Sequence, residues 1–145
     1  MANSAQESVR ILVVEDNPAD VYLLKEALRE TPLTGEILVC SDGEDALKRL
    51  RGEGQYANAA PPELLLLDLN LPRVDGRGIL DAMRDHEKLR DLCVILLSSS
   101  PSPRDRSRIS HLARGLFLEK PTDLDGYQRL GERIYDFWRD CAKTA

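Results

Sequence analysis

The sequence has no excess of positive charge: 20 Lys and Arg against 25 Asp and Glu leave a formal net charge of −5 over 145 residues. Phosphate backbones are bound by basic stripes that displace counterions, so nucleic acid is not an expected partner. The densest basic stretch, Arg104, Arg106 and Arg108, alternates with Ser102, Asp105 and Ser107 and reads as a solvated helix face. No apolar run approaches the length of a membrane span, and Met1 to Ser8 lacks the basic flank and apolar stretch of a secretory signal. The expectation is a cytoplasmic chain that engages neither membrane nor nucleic acid.

Cysteine is scarce as well. Cys40, Cys93 and Cys141 are odd in number, widely spaced and free of C-x-x-C patterns, so they read as buried thiols in a reducing compartment. Repeats and low-complexity tracts are missing, and the aperiodic stretch Gly52 to Pro62 reads as a surface loop inside a domain. A chain of this length, 42% hydrophobic, can bury one core without disulfides or metal staples.

What is present is a regular alternation. Val9 to Val14, Leu64 to Leu67 and Leu92 to Leu97 are short, nearly continuous apolar runs, the pattern of strands buried on both faces of a parallel sheet. Glu36 to Cys40 and Gly115 to Leu118 complete five, each followed by a segment long enough for a helix. Asn17 before Pro18 and Ser102 before Pro103 mark helix starts, and Ser41 to Glu44 and Thr122 to Asp125 resemble capping boxes. Val21, Leu24 and Leu28, then Ala46, Leu47 and Leu50, then Ile79, Leu80 and Met83, recur at helical spacing. The fold expected is α/β and doubly wound, with a ligand crevice at the carboxyl ends of the strands.

Those ends carry Glu15 and Asp16, Asp68, Ser98 with Ser99 and Ser100, and Lys120 with Pro121, which fits a rigid turn and could use a cis bond. Three carboxylates in one crevice repel one another by about 4 kcal/mol per pair at 4 Å and an effective dielectric near 20. Positive charge must offset that. Lys120 supplies one unit, and oxygen donors with no His or Cys beside them favour a hard divalent ion, Mg²⁺ or Mn²⁺. A carboxylate between a metal ion and an ammonium group is equipped to attack phosphorus, which implies phosphorylation on Asp68.

Four stretches, Ile11 to Asn17, Leu66 to Gly76, Leu96 to Ser98 and Phe117 to Pro121, resemble the response-regulator receiver domain in order and spacing. The resemblance implies a flavodoxin-like five-stranded parallel sheet of order 2-1-3-4-5, with the domain over 9–141, a flexible segment at 1–8, a tail at 142–145 and no output domain. It also implies roles. Asp68 corresponds to the phosphoacceptor, Asp16, Asp68 and the carbonyl of Asn70 to metal ligands, and Glu15 to the residue holding metal-bound water. Lys120 and Ser98 correspond to the groups that contact the phosphoryl oxygens, Phe117 to the aromatic switch, and Asn70 and Ser100 to positions that tune dephosphorylation. Ser98 stands where threonine is commoner and Phe117 where tyrosine is frequent.

Asn17 to Asp20, Asp68 to Pro72 and the aromatic ending Tyr135 to Trp138 are similar to regulators paired with phytochrome-type histidine kinases. The implied partner is a sensor histidine kinase, with a bacteriophytochrome as the narrower expectation. The chain would act as a switch, a phosphate sink or a relay intermediate, not as an enzyme on a separate substrate. An aspartyl-phosphate phosphatase is disfavoured because Asn70 replaces the second acid such enzymes carry two residues after the nucleophile. A phosphorylation-independent scaffold is disfavoured by the complete set of acidic, hydroxyl and lysine groups. In the last helix Tyr127, Leu130, Ile134, Phe137 and Cys141 read as the core stripe, and Tyr135, Trp138 and Gly131 as a neighbouring homodimer surface.

Overall fold

The structure, a computed structural model, describes residues 7–69, 71, 76–99 and 102–143. Five strands, β1 (Ile11–Val14), β2 (Ile37–Cys40), β3 (Leu64–Asp68), β4 (Cys93–Ser98) and β5 (Gly115–Glu119), form one parallel sheet. Their spatial order is 2-1-3-4-5, as expected. A separate two-residue parallel ladder pairs Glu7–Ser8 with Leu33–Thr34, so the last two residues of the expected flexible segment are in register with the chain ahead of β2.

Alternation along the strands divides the core. Ile11, Val13, Leu64, Leu66, Cys93, Ile95 and Leu97 face α1 (Pro18–Arg29) and α5 (Leu124–Lys143) in one cluster. Leu12, Val14, Leu65, Leu67, Val94 and Leu96 face α2 (Gly43–Arg51) and α3 (Gly76–Arg84) in the other. Because both strand faces are buried, the central strands read as continuous apolar runs.

Asn17 caps α1 through its side-chain oxygen, with Pro18 in the first turn, and Ser102 caps the short α4 (Pro103–Ser107) in the same way. The other two caps lie one residue later than expected. Asp42 Oδ1 accepts from Glu44 N at 2.8 Å and Asp123 Oδ1 from Gly126 N at 2.7 Å, so Asp takes the place expected for Ser41 and Thr122. A carboxylate is the stronger acceptor and complements the helix dipole. The Lys120–Pro121 bond is trans, since no cis peptide occurs among the described residues.

Three further expectations are corrected. Cys93 and Cys141 are not thiols but form a disulfide, with Cα atoms 6.3 Å apart; Cys93 opens β4 and Cys141 lies in the last turn of α5 on the same core face. Only Cys40 is a buried free thiol, its pKa pushed up to about 12 by burial and by its hydrogen bond to Asp45. On α5 the buried stripe runs Tyr127, Leu130, Ile134, Trp138 and Cys141, with Phe137 only half-buried. The step after Ile134 is four residues instead of three, which a 3.6-residue repeat allows equally well. Trp138, 8% exposed, therefore belongs to the core of its own chain and not to a free aromatic edge.

Gly131 does admit a close neighbour, but that neighbour is α1. A Cβ at this position would lie 2.7 Å from the carbonyl oxygen of Ala27 and 2.9 Å from its carbon. Replacing Gly131 with Val is expected to lower stability by about 2 kcal/mol through overpacking. Urea denaturation followed by circular dichroism measures this; an unchanged midpoint would show that the two helices can part at no cost.

Candidate functional site

Each strand delivers its last residues to one end of the sheet. Glu15 and Asp16 follow β1, Asp68 ends β3, Ser98 ends β4 and Lys120 follows β5. Backbone hydrogen bonds continue past the strands and hold these ends in register: Glu15 N donates to Cys40 O at 2.9 Å, Leu69 N to Leu97 O at 3.0 Å, and Lys120 N to Ser98 O at 2.9 Å. The start of α3 presses against the third strand end. A Cβ on Gly76 would sit 2.5 Å from the carbonyl oxygen of Asp68, so only glycine fits here without displacing the backbone of Asp68.

The structure brings together five of the residues expected at this site. Carboxylate oxygens of Glu15, Asp16 and Asp68 all lie within 4.8 Å of one another, with Glu15 and Asp68 buried and Asp16 exposed. An all-oxygen set with one member open to solvent fits a hard divalent ion that keeps several waters. Lys120 Nζ is 2.6 Å from Glu15 Oε1 and 3.1 Å from Asp68 Oδ2. Ser98 is fully buried beside them at the end of β4. Asn70 and Ser100 lie outside the described residues.

One participant was not anticipated. Asp20, in the first turn of α1, places Oδ2 3.1 Å from Lys120 Nζ, and its Oδ1 accepts from the Tyr127 hydroxyl at 3.3 Å. The Asn17-Pro18 cap was its available signal, because a fixed helix start puts Asp20 in the first turn beside the strand ends. Lys120 thus directs its ammonium group at three carboxylates, matching its three N–H donors.

Burial pushes the Glu15 carboxyl up to about 7; the hydrogen bond from Lys120 opposes that rise and the charge of Asp68 adds to it. Burial acts against the Lys120 ammonium, yet its hydrogen bond to Glu15 and the charge of Asp68 hold its pKa above the ordinary lysine value. Tyr127 is pushed up to about 12 by burial and the charge of Asp20, so it stays a hydroxyl donor. Phe117, the expected aromatic switch, lies half-buried in β5 with the Arg106 guanidinium 5.3 Å from its ring centroid.

Residues 11–130 match the response regulator receiver domain family. The chain belongs to that family. Among curated relatives, this receiver is 32% identical over 138 residues to the response regulator Rcp1 of Synechocystis sp., covering 95% of this chain and 94% of that one. It is 36% identical over 135 residues to the probable methanogenesis regulatory protein FilR2 of Methanothrix harundinacea, covering 92% and 86%. Among solved structures, the phosphorylated cyanobacterial phytochrome response regulator RcpA superposes with a TM-score of 0.82 at 36% identity, covering 92% and 94%. The Mn²⁺-bound form of Rcp1 does so with a TM-score of 0.81 at 33% identity, covering 90% and 94%. RcpA is described as a phytochrome response regulator, and this receiver shares its fold.

The expected solvated face at Arg104 to Arg108 holds only in part. Asp105 is buried, and Arg77 of α3 grips it with both arms, Nε to Oδ1 at 2.9 Å and Nη2 to Oδ2 at 2.8 Å, while Nη1 donates to Leu69 O at 3.2 Å. The pair ties α4 to the residue that follows Asp68. Its hydrogen bonds from Arg77 hold the Asp105 carboxyl below the usual carboxylate range. Arg77→Ala leaves a buried carboxylate without its main partner and is expected to cost about 3 kcal/mol. A depressed pKa contributes stability that is complete above the ordinary carboxylate range and fades as pH falls through the depressed value. The difference in urea midpoint between wild type and Asp105→Asn is therefore expected to be largest near neutral pH and to shrink on acidification; a difference that grew in acid would contradict the pairing.

Proposed function

We propose that this receiver accepts a phosphoryl group on Asp68 from a sensor histidine kinase, with Mg²⁺ or Mn²⁺, and signals through altered protein contacts. The single observation that carries this reading is the meeting of Glu15, Asp16, Asp68 and Lys120 at one end of the sheet. Asp68 Oδ attacks phosphorus as the bond from phosphorus to the donor nitrogen breaks, giving an acyl phosphate and a free imidazole. Lys120 neutralises one equatorial oxygen, and the buried Ser98 hydroxyl donates to another. Glu15, Asp16 and Asp68, with the Asn70 carbonyl, would hold the divalent ion, whose charge offsets that of the transferring group. Phe117 and Arg106, in contact at β5 and α4, are the proposed route from the site to the surface, and Asn70 and Ser100 the positions that set the lifetime of the phosphate.

Relatives described as phytochrome response regulators support a bacteriophytochrome as the kinase, and a cytoplasmic setting with no separate substrate to turn over belongs to the same reading. Among the described residues no helix is long and apolar enough to cross a membrane. Acetyl phosphate with Mg²⁺ is expected to add one phosphoryl mass to the intact chain, and chelation of the metal to abolish it. Asp68→Asn should gain none, and Lys120→Ala should react on the order of 10²-fold more slowly. An unmodified wild type would overturn the reading.

A homodimer through α5 belongs to the same reading, on altered grounds. With Trp138 in the core and Gly131 against α1, the outward face of α5 presents Arg129, Glu132, Arg133, Asp136, Arg139 and Asp140, alternating charges suited to self-complementary pairing around a two-fold axis. Tyr135, half-buried with Arg139 over its ring at 5.0 Å, is the aromatic residue beside that face. Sedimentation equilibrium is expected to give twice the mass of 16.3 kDa for wild type and the single-chain mass for Tyr135→Glu. A monomeric wild type would remove the dimer from the reading.

A further inference from the structure

At the end of the sheet opposite Asp68, the Cys93–Cys141 disulfide borders a cavity of about 640 Å³. Its wall includes Arg49, Arg51, Lys88 and Arg114 against only Glu63 and Asp91, a local excess of positive charge in a chain whose net charge is −5. Arg114 Nη1 also donates to the Cys141 backbone carbonyl oxygen at 3.4 Å, so a guanidinium group is tied to one of the two bridged residues in the wall of the cavity they share. The volume lies in the range that holds a small organic ligand. Nothing in phosphoryl transfer uses this end of the molecule.

We propose that Cys93 and Cys141 form a thiol–disulfide exchange site open, through this cavity, to a small anionic thiol of the glutathione class. Nearby cations favour thiolates, both the incoming one and the one that leaves. A thiolate in the cavity attacks one of the two sulfurs, the Cys93–Cys141 bond breaks, and the other cysteine departs as a thiolate that takes up a proton. A second small thiol then attacks the small-thiol sulfur of the mixed disulfide. In sum, one protein disulfide is reduced to two thiols while two small thiols are oxidised to one disulfide, and the reverse sequence closes the bond. Closure fastens the last turn of α5 to the first residue of β4, the strand that carries Ser98 at its other end. The chemistry stands independently of phosphorylation, whereas its use as a signal rests on the reading of the chain as a cytoplasmic receiver, where disulfides are redox-active and not structural.

The full-length oxidised chain, still folded, would be treated with reduced glutathione or with cationic cysteamine at equal thiolate concentration, quenched with N-ethylmaleimide and weighed intact. The expected result is uptake of two maleimides more than the untreated chain, whose free thiol is Cys40, with glutathione faster by about tenfold, and loss of that preference in the Arg51→Glu, Lys88→Glu double variant. Cys141→Ser treated with oxidised glutathione should acquire one glutathione on Cys93. The proposal is overturned if neither thiol opens the bond until the chain is unfolded, if both open it equally fast, or if the purified chain carries Cys93 and Cys141 as free thiols, beside Cys40, that oxidised glutathione leaves open. None of these outcomes depends on whether Asp68 accepts phosphate.

Discussion

Three buried or half-buried carboxylates at one end of a sheet would force their strand ends apart if nothing stood between them. Lys120 stands between them, with one ammonium hydrogen for each of Glu15, Asp20 and Asp68. That constraint fits the way the strands finish, since Lys120 follows the edge strand β5 and its long side chain must reach past β4 to the ends of β3 and β1. The acidic set is also asymmetric, in that Asp16 alone is exposed. A site arranged in this way is held together by the chain's own groups, with no ligand needed to assemble it.

The frame around the site does its work through close backbone approach more than through side-chain bulk. Gly76 lets α3 touch the carbonyl of Asp68, and the continuation of backbone hydrogen bonds beyond the strands fixes Glu15, Leu69 and Lys120 relative to their neighbours. The bidentate Arg77–Asp105 pair then connects α4 to Leu69. Leu69, which follows Asp68, is thereby tied to α4, and Ser98 O accepts from Lys120 N just past β5, so two separate contacts anchor the surroundings of the acidic crevice.

The sheet and the acidic crevice were legible because both follow from patterns within single segments. Fully buried parallel strands leave uninterrupted apolar runs such as Leu64 to Leu67, and strand-end residues such as Asp68 and Lys120 converge once the winding is known. What stayed hidden depends on distances between segments. Asp20 meets Lys120 across 100 positions, Arg77 meets Asp105 across 28, and Cys93 meets Cys141 across 48. Trp138 was misplaced for a related reason: two adjacent aromatic residues, Phe137 and Trp138, satisfy helical periodicity almost equally, and only the packed neighbours decide which turns inward.

The contact of Gly131 with Ala27 limits how this side of the molecule can vary. Two helices that touch backbone to backbone have no compressible layer between them, so a larger residue on either one displaces the other as a rigid plate. Substitutions that leave the packing untouched are therefore found at outward positions such as Tyr22 and Leu124, which are 63% and 69% exposed. The surface of that plate can change its chemistry while its thickness stays the same.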